Sequence, residues 1–338
     1  MPLPFLAPVL SFLGTTIIGG ITVGQALLVA GSVLYQRDQQ RRLERQVAAA
    51  RDEALGQDVR PSNASAPIDV HYGYGSTSGI RVFGSTSPDY TQSDLPAGSR
   101  GTVIGTIDNT TGTKNEFAIV QDVLGFDGID AVIGVDINEQ NSSAGQFTNY
   151  HRLNIHYDGG VADPLAFNNS TDVANTATFT DLAYATGVFR LNREDPQYSG
   201  FPSIRYYFRG KRVWDPREAG QSQTDPSTWT FSNNTALVLL DYLTNTDYGL
   251  RVPLAQIDLP GFRIAANIGD EVVQSDAVVG GRVYGTTTSR NILRHEFNGS
   301  ISSGRNHQQN IEEIVNSIPG GILIYTACLL YTSPSPRD

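Results

Sequence analysis

Cysteine is almost missing from this sequence of 338 residues, whose single cysteine, Cys328, lies close to the C-terminus. A lone cysteine excludes an internal disulfide and a zinc site built from several thiolates. Catalytic signatures are missing too, since the sequence has no G-x-S-x-G, P-loop, HExxH or EF-hand pattern. We therefore expect no enzyme activity and no cofactor.

Positive charge is in short supply, with 24 Lys and Arg against 34 Asp and Glu and a net charge of −10. An acidic chain repels phosphate backbones, so we expect no nucleic-acid recognition. One basic cluster stands out, and its members are Arg205, Arg209, Lys211, Arg212 and Arg217. It either docks an acidic partner or neighbouring subunit, or forms the solvated face of a hairpin.

Metal sites find little support in the sequence. His151 and His156 are five residues apart on a predicted strand, which places them on opposite faces. Asp127, Asp130, Asp136 and Asn138 either bind calcium in loops or are solvated turn residues, and the second interpretation is favoured. We expect no metal.

Residues 1–36 carry no charged side chain. The apolar run Phe12–Tyr35 is long enough to span a bilayer as a helix, at about 1.5 Å per residue. Three interpretations remain open: a membrane anchor, a helix packed among other copies in an assembly, or a buried core helix. Residues 36–66 are predicted to be a charged helix followed by a linker, Gly56–Pro67.

The region 67–200 is predicted to be a first β-rich domain because alternating apolar runs are separated by Asp, Asn and Gly turns. The predicted strands are Ile68–Tyr72, Thr102–Ile107, Glu116–Val123, Asp130–Ile137, Leu153–Tyr157 and Ala183–Leu191.

The region 201–280 is organised around Ser203–Gly249. Ile204, Tyr206 and Phe208 alternate with polar neighbours, which predicts a half-buried strand. Gly210-Lys211 is predicted to turn this strand into a hairpin with Arg212–Trp214. A second segment is predicted to be an amphipathic helix capped by Ser232 or Asn233, with an apolar stripe of Ala236, Leu237, Leu240 and Leu243.

The remaining segments continue the mixture of helices and strands. Leu254–Asp270 is predicted to be a helix, and Arg282–Thr287 is predicted to pair with a strand at Leu293–Ile301. Ile311, Ile314, Val315 and Ile318 lie on one helical face. The predicted class is α+β, mostly β, with antiparallel sheets and a few packed helices. The region 281–327 is predicted to begin another domain, and Gly320–Tyr325 is predicted to be a strand.

Two segments resemble a known family. Phe201–Arg217 ends in Gly-Lys-Arg-Val-Trp-Asp-Pro-Arg, and Ser232–Thr244 reads Ser-Asn-Asn-Thr-Ala-Leu-Val-Leu-Leu-Asp-Tyr-Leu-Thr. Both resemble the hub segment of phage tail tip attachment proteins, the lambda-like J or host specificity family, and the likeness extends over about residues 67–327. The motif positions are Gly210, Lys211, Val213, Trp214, Asp215, Pro216, Arg217, Ala236, Leu237, Asp241, Tyr242 and Leu243.

This resemblance implies an N-terminal fragment of a virion protein made of antiparallel β-rich tail-hub domains. It implies a trimer that contacts tail tube, distal tail and tape-measure proteins, with receptor binding by a C-terminal part beyond this sequence. The uncharged N-terminal segment departs from the family pattern, and residues 12–35 leave membrane contact open. The tail 328–338 resembles a translated sequencing adapter, so we expect the native sequence to differ after Ala327.

Two other functions compete with this interpretation. A membrane-anchored β-rich bacterial envelope protein would explain the apolar N-terminal run but not the central motif. A carbohydrate-active β-protein would need a pair of carboxylates that the sequence alone does not identify.

Overall fold

The computed structural model describes residues 16–17, 21–22, 67–108, 116–169, 177–191, 198, 200–277, 290–318, 322–325 and 330–333. The chain divides into two compact units, 1–56 and 57–338. In the first unit, β1 (Thr16–Ile17) pairs antiparallel with β2 (Ile21–Thr22). The rest of the apolar run 12–35, and all of 36–66, lies outside the described residues. No helix in the described part of the chain is long and apolar enough to cross a bilayer.

The second unit contains the remaining elements. Its strands are β3 (Val70–Tyr72), β4 (Tyr74–Thr77), β5 (Ile80–Ser87), β6 (Gly101–Ile104), β7 (Phe117–Phe126), β8 (Ala131–Ile137), β9 (Gln140–Asn141), β10 (His151–His156), β11 (Leu182–Arg190), β12 (Ile204–Arg209), β13 (Arg212–Val213), β14 (Thr230–Phe231), β15 (Val272–Ala277), β16 (Arg290–Leu293), β17 (Gly299–Ile301), β18 (Ile322–Tyr325) and β19 (Leu330–Ser333). Its helices are α1 (Pro164–Asn169), α2 (Thr235–Thr244), α3 (Leu259–Gly269) and α4 (His307–Asn316), with short 3₁₀ turns at Gly145–Phe147, Pro226–Thr228 and Leu254–Gln256.

A five-stranded antiparallel sheet forms the first layer, in the order β5-β7-β11-β10-β6. The interior strand β7, which lies between β5 and β11, is buried along nearly its whole length, so both of its faces are covered. Helix α1 covers part of one face and buries Leu165 beside Phe117, Ile119 and Val188. The strands predicted between 102 and 191 are confirmed, with ends shifted by a few residues.

A four-stranded antiparallel sheet has the order β4-β12-β8-β9. The predicted alternation in β12 is confirmed, because Ile204, Tyr206 and Phe208 are buried and Arg205 is exposed. The predicted hairpin is wrong: β12 pairs with β4 and β8, and the short β13 pairs with β14 instead.

The helical layer centres on α2, which is buried from Thr235 to Leu243. The prediction of an amphipathic helix is therefore wrong, because α3, α4 and β13 surround α2 and leave it no solvent face. The cap is Asn234, one position after the predicted Asn233, since its side chain accepts hydrogen bonds from the N–H groups of Ala236 and Leu237.

The C-terminal elements differ from prediction at several boundaries. The predicted helix Leu254–Asp270 is interrupted, because Asp258 caps α3 and Pro260 lies in its first turn. The predicted strand Leu293–Ile301 is two strands, of which β16 pairs with β15 and β17 pairs with β3. Its predicted partner, Arg282–Thr287, lies outside the described residues.

Two predictions for the C-terminal region agree with the structure. Helix α4 presents the predicted apolar face, with Ile314 fully buried and Ile311 and Val315 packed on the same core. The predicted strand near 322 is β18, and it pairs with β19, which lies in the adapter-like tail.

The described residues thus form a mostly β protein with antiparallel sheets and a few helices. Pairing crosses the domain boundaries predicted at 200 and 280, since β4 and β8 flank β12 and β3 pairs with β17. Those boundaries stay predictions.

Candidate functional site: a buried ionic cluster beside an open cavity

The motif residues lie together in space. Val213, Ala236, Leu237, Tyr242 and Leu243 belong to one apolar core, and Trp214 packs against it. The polar motif residues form ion pairs beside that core: Lys211 contacts Asp241, and Arg217 contacts Asp215. The motif therefore joins the end of β12 to helix α2.

Backbone contacts at Gly210 direct the Lys211 side chain inward. The N–H groups of Gly210 and Lys211 donate to the carbonyl oxygens of Gly73 and His71, at 2.6 Å and 2.7 Å. A Cβ at position 210 would lie 2.3 Å from the His71 oxygen, so only glycine allows this approach. Gly210 is needed for close packing against β3, and not for the hairpin turn that the sequence predicted.

Lys211 is the centre of the ionic cluster, which we define as Lys211, Asp241, Asp127, Tyr72 and Tyr248. The Lys211 Nζ atom lies 3.0 Å from both carboxylate oxygens of Asp241 and 2.7 Å from Oδ2 of Asp127. The side chains of Lys211 and Asp241 are each only 5% exposed, whereas that of Asp127 is 33% exposed. The cluster is therefore a buried ion pair with a third, partly accessible carboxylate.

Two tyrosine hydroxyl groups complete the cluster. The Tyr72 hydroxyl oxygen lies 2.5 Å from Oδ2 of Asp241, and the Tyr248 hydroxyl oxygen lies 2.7 Å from the same atom. The two hydroxyl oxygens are 2.7 Å apart. Nζ of Lys211 also donates to the Tyr248 hydroxyl at 2.8 Å, and it lies 5.4 Å from the centre of the Trp229 ring. Each oxygen of Asp241 thus has a donor, as a buried carboxylate requires.

The pKa values in the cluster are shifted by burial and by neighbouring charges. Burial alone would lower the pKa of Lys211, but Asp241 and Asp127 outweigh it, and the pKa is raised above its ordinary value. Burial raises the pKa of Asp127, against the opposing effect of Lys211. Burial, reinforced by Asp241, also raises the pKa values of Tyr72 and Tyr248. The resting cluster is therefore an ammonium ion among carboxylates, with both phenols neutral.

A cavity of about 640 Å³ opens beside the cluster. Lys211, Asp241 and Asp127 line it, as do both tryptophans of the chain, Trp214 and Trp229. Its volume lies within the range of about 300–1,000 Å³ that small-molecule sites occupy. The cavity connects the buried ion pair to solvent.

Arg217 forms a second polar junction. Its guanidinium contacts Asp215 and Asp270 at 2.7 Å each, and Asp270 also accepts from the side chain of Asn234. Hydrogen bonding to Asp215 is the main cause that raises the Arg217 pKa. These contacts tie the segment after β13 to the end of α3 and to the cap of α2.

Four members of the basic cluster pair with carboxylates of the same fold, although the side chains of Arg209 and Arg212 remain 41% and 33% exposed. Arg209 and Arg212 both contact Asp130, at 2.6 Å and 2.8 Å, while Lys211 and Arg217 are paired as described. These cations are neutralised within the fold because carboxylates just before β8, on α2 and just after α3 reach them. Arg205 fits an exposed face, since its position on β12 points away from the core.

The interpretation of solvated turn residues is confirmed for Asn138, which is exposed in the turn after β8, and is wrong for Asp130 and Asp136, which are buried. Asp127 and Asp130 neutralise cations, Asp136 accepts from the Tyr207 hydroxyl, and Asn138 accepts from the Ser203 N–H. In the described part of the chain no group of three or more His, Cys, Asp or Glu residues is arranged to hold a metal ion.

The two histidines lie on opposite faces of β10, as predicted. His151 packs near Phe147 and Phe189, whereas His156 stacks on Tyr184 and contacts Asp163 at 3.1 Å. Both are buried and serve packing.

Sequence reasoning did not assign Asp127, Tyr72 or Tyr248 to this site. Tyr72 and Tyr248 each precede a glycine, but Tyr74 and Tyr284 do so too, so this pair does not single them out. Their convergence on Asp241 depends on long-range packing between β3, α2 and the loop after α2.

Comparisons with known proteins give few relatives. Neither a protein-family model nor a curated protein matches the chain. One similar solved structure is a chain described as "Virion of native gene transfer agent (GTA) particle", with a TM-score of 0.41 and 12% sequence identity. The similarity covers 96% of this chain and 66% of that one, so the chain spans somewhat less than two thirds of that chain's length.

Proposed function

We propose that this chain is a structural component of a phage tail tip or baseplate hub, which acts in tail assembly, host attachment and genome delivery. The observation that carries the proposal is the arrangement of the motif residues. Those that resemble the tail tip family form a single packed unit joining a β-sheet to a helical layer. Residues that fasten a sheet to a helical layer keep the fold rigid, and a protein of a large assembly needs a rigid fold.

The contacts of the ionisable motif residues support a non-enzymatic role for the mature fold. Lys211, Asp241, Asp215 and Arg217 are engaged with one another or with nearby side chains. Shifted pKa values arise in structural ion-pair networks as well as in active sites, so the shifts at Lys211 do not by themselves indicate catalysis. We propose no cofactor and no nucleic-acid partner.

The proposed partners follow from the same resemblance. Other copies of the chain would form a closed ring, which we propose to be a trimer, and tail tube, distal tail and tape-measure proteins would contact it. Receptor binding would belong to a C-terminal part beyond this sequence.

The composition of purified particles tests the proposal. Tailed particles are separated from membranes on a density gradient, and peptides from residues 67–327 are quantified by mass spectrometry in both fractions. We expect the peptides to follow the tail proteins at a few copies per particle. Peptides that follow the membrane fraction, in preparations without tail proteins, would reject the proposal in favour of an envelope protein.

A further inference from the structure

The ionic cluster has the composition and geometry of a site for covalent cross-linking between side chains. An amine and a carboxylate are held in contact, a second carboxylate touches the amine, and two phenols touch one carboxylate oxygen. We propose that Lys211 and Asp241 form an intramolecular amide bond, with Asp127 transferring the protons.

Proximity favours this reaction. Helix α2 and the segment after β12 are fixed by the surrounding core, so Nζ of Lys211 stays 3.0 Å from the Asp241 oxygens without any further loss of freedom. Positioning of this kind converts a bimolecular condensation into an effectively unimolecular one. A rotation about the Cβ–Cγ bond of Asp241 turns the face of its carboxyl plane toward Nζ, which opens the carboxyl carbon to attack.

Burial favours the product over the ion pair. The side chains of Lys211 and Asp241 are each 5% exposed, and holding two opposite charges away from water carries a desolvation penalty. A neutral amide removes both charges. The water that condensation releases can leave through the cavity, which Lys211 and Asp241 both line.

The proton transfers use the remaining members of the cluster. Asp127 lies 2.7 Å from Nζ, so it is placed to accept a proton from the ammonium group. Burial raises the pKa of Asp127, which favours the transfer, whereas the raised pKa of Lys211 opposes it. Asp127 passes that proton to Oδ1 of Asp241, and the free amine then attacks the carboxyl carbon. The hydroxyl groups of Tyr72 and Tyr248 stabilise the negative charge that develops on Oδ2.

The step balances in atoms and charge. The nitrogen–carbon bond forms, a second proton passes from the nitrogen through Asp127 to Oδ1, and the bond from carbon to Oδ1 breaks to release water. One ammonium group and one carboxylate become one amide and one water molecule. Asp127 returns to its starting state, and no oxidant or other reactant is needed.

Peptide mass spectrometry of the full chain tests the proposal. The linked protein should be lighter than its sequence by one water, and trypsin should release Gly210–Arg212 joined to Glu218–Arg251. The branched peptide is decisive because succinimide formation at Asp127-Gly128 or Asp158-Gly159 also removes one water but joins no two peptides. Folded wild-type protein that releases Glu218–Arg251 unlinked, and is cut after Lys211, would overturn the proposal.

Matched variants assign the roles. Lys211→Arg keeps a cation but should give no linked peptide, because guanidinium is not a nucleophile at neutral pH. Asp127→Asn should lower the fraction linked at a fixed time after synthesis by about tenfold or more. Asp181→Asn, which changes a carboxylate of the same cavity outside the cluster, should leave that fraction unchanged. An equal fraction in Asp127→Asn would remove Asp127 from the mechanism.

This proposal is independent of the virion role. The mass of the isolated chain tests the amide, whereas the composition of purified particles tests the role, so either can fail alone.

Discussion

At the scale of single residues, Gly210 and His71 show how closely β3 and the segment after β12 approach each other. Gly210 lies against the backbone of β3, and His71 on that strand is buried. The His71 ring contacts the Ser300 hydroxyl at 2.7 Å and the Leu124 carbonyl at 2.9 Å. A carbonyl oxygen can only accept a hydrogen bond, so Nε2 of His71 carries the proton and donates to Leu124. In this neutral tautomer Nδ1 has no proton and accepts a hydrogen bond from the Ser300 hydroxyl.

Replacing Gly210 tests the close approach. Gly210→Ala should lower the free energy of unfolding by about 1–3 kcal/mol, because the new Cβ would lie 2.3 Å from the His71 oxygen and the strands must separate. Urea unfolding followed by tryptophan fluorescence measures the effect. Gly220→Ala is the matched control, since a Cβ there meets no atom within 4 Å, and it should change stability by no more than about 0.5 kcal/mol. Equal effects of the two substitutions would contradict the prediction.

The buried histidines predict a pH dependence. Burial lowers the pKa values of His71 and His151 below 6.5, so in the range just below pH 6.5 the unfolded chain binds more protons than the folded one. Stability should therefore fall as the pH drops from 6.5, by at most about 1.4 kcal/mol per pH unit for each histidine.

Urea unfolding at a series of pH values between 7.5 and 5.5 measures this slope. His71→Gln should reduce it, because it removes one of the histidines whose pKa burial lowers. A wild-type stability that does not change below pH 6.5 would show that these rings are accessible to protons in the folded state.

At the scale of elements, α2 depends on its cap more than an exposed helix would. Asn234 accepts from two N–H groups of the first turn, and its amide donates to the Ala266 carbonyl and to Asp270. One side chain therefore starts α2 and attaches α3 to it.

Removing this cap should destabilise the protein. Asn234→Ala should cost at least about 2 kcal/mol, because a cap and two further buried hydrogen bonds are lost. Asn306→Ala removes the exposed cap of α4 and should cost about 1 kcal/mol. Thermal and urea unfolding of both variants provide the comparison, and a smaller loss for Asn234 than for Asn306 would be inconsistent with its double role.

At the scale of the whole molecule, the second unit is held together by contacts between distant parts of the chain. Strand β3 pairs with β17, and Val70, Tyr72 and Ile301 share one core with α2. Segments more than two hundred residues apart are thus parts of the same packed layer.

This arrangement predicts joint unfolding of the sheet and the helical layer. Tryptophan fluorescence reports the cavity, which contains Trp214 and Trp229, and far-ultraviolet circular dichroism reports all strands and helices. We expect both signals to change at the same urea concentration, and Ile301→Ala to lower both midpoints together. Two separate transitions in the second unit would instead indicate independent domains.

Neighbouring residues in the chain were enough to identify individual strands and helices. Alternation at Ile204, Tyr206 and Phe208 identified a strand with its buried face, and the spacing of Ile311, Ile314 and Val315 identified a helical face. Both patterns report burial along a single element, and that information is present in neighbouring residues.

The way in which those elements pack against one another became known from the three-dimensional fold. It replaced the predicted hairpin at Gly210 with packing against β3, and it turned a basic cluster into internal ion pairs. It also brought Tyr72, Asp127 and Tyr248 to the Lys211–Asp241 pair from separate parts of the chain. The spacing of residues along the chain does not predict these contacts, because they depend on which distant strand or helix supplies the neighbouring carboxylate or hydroxyl group.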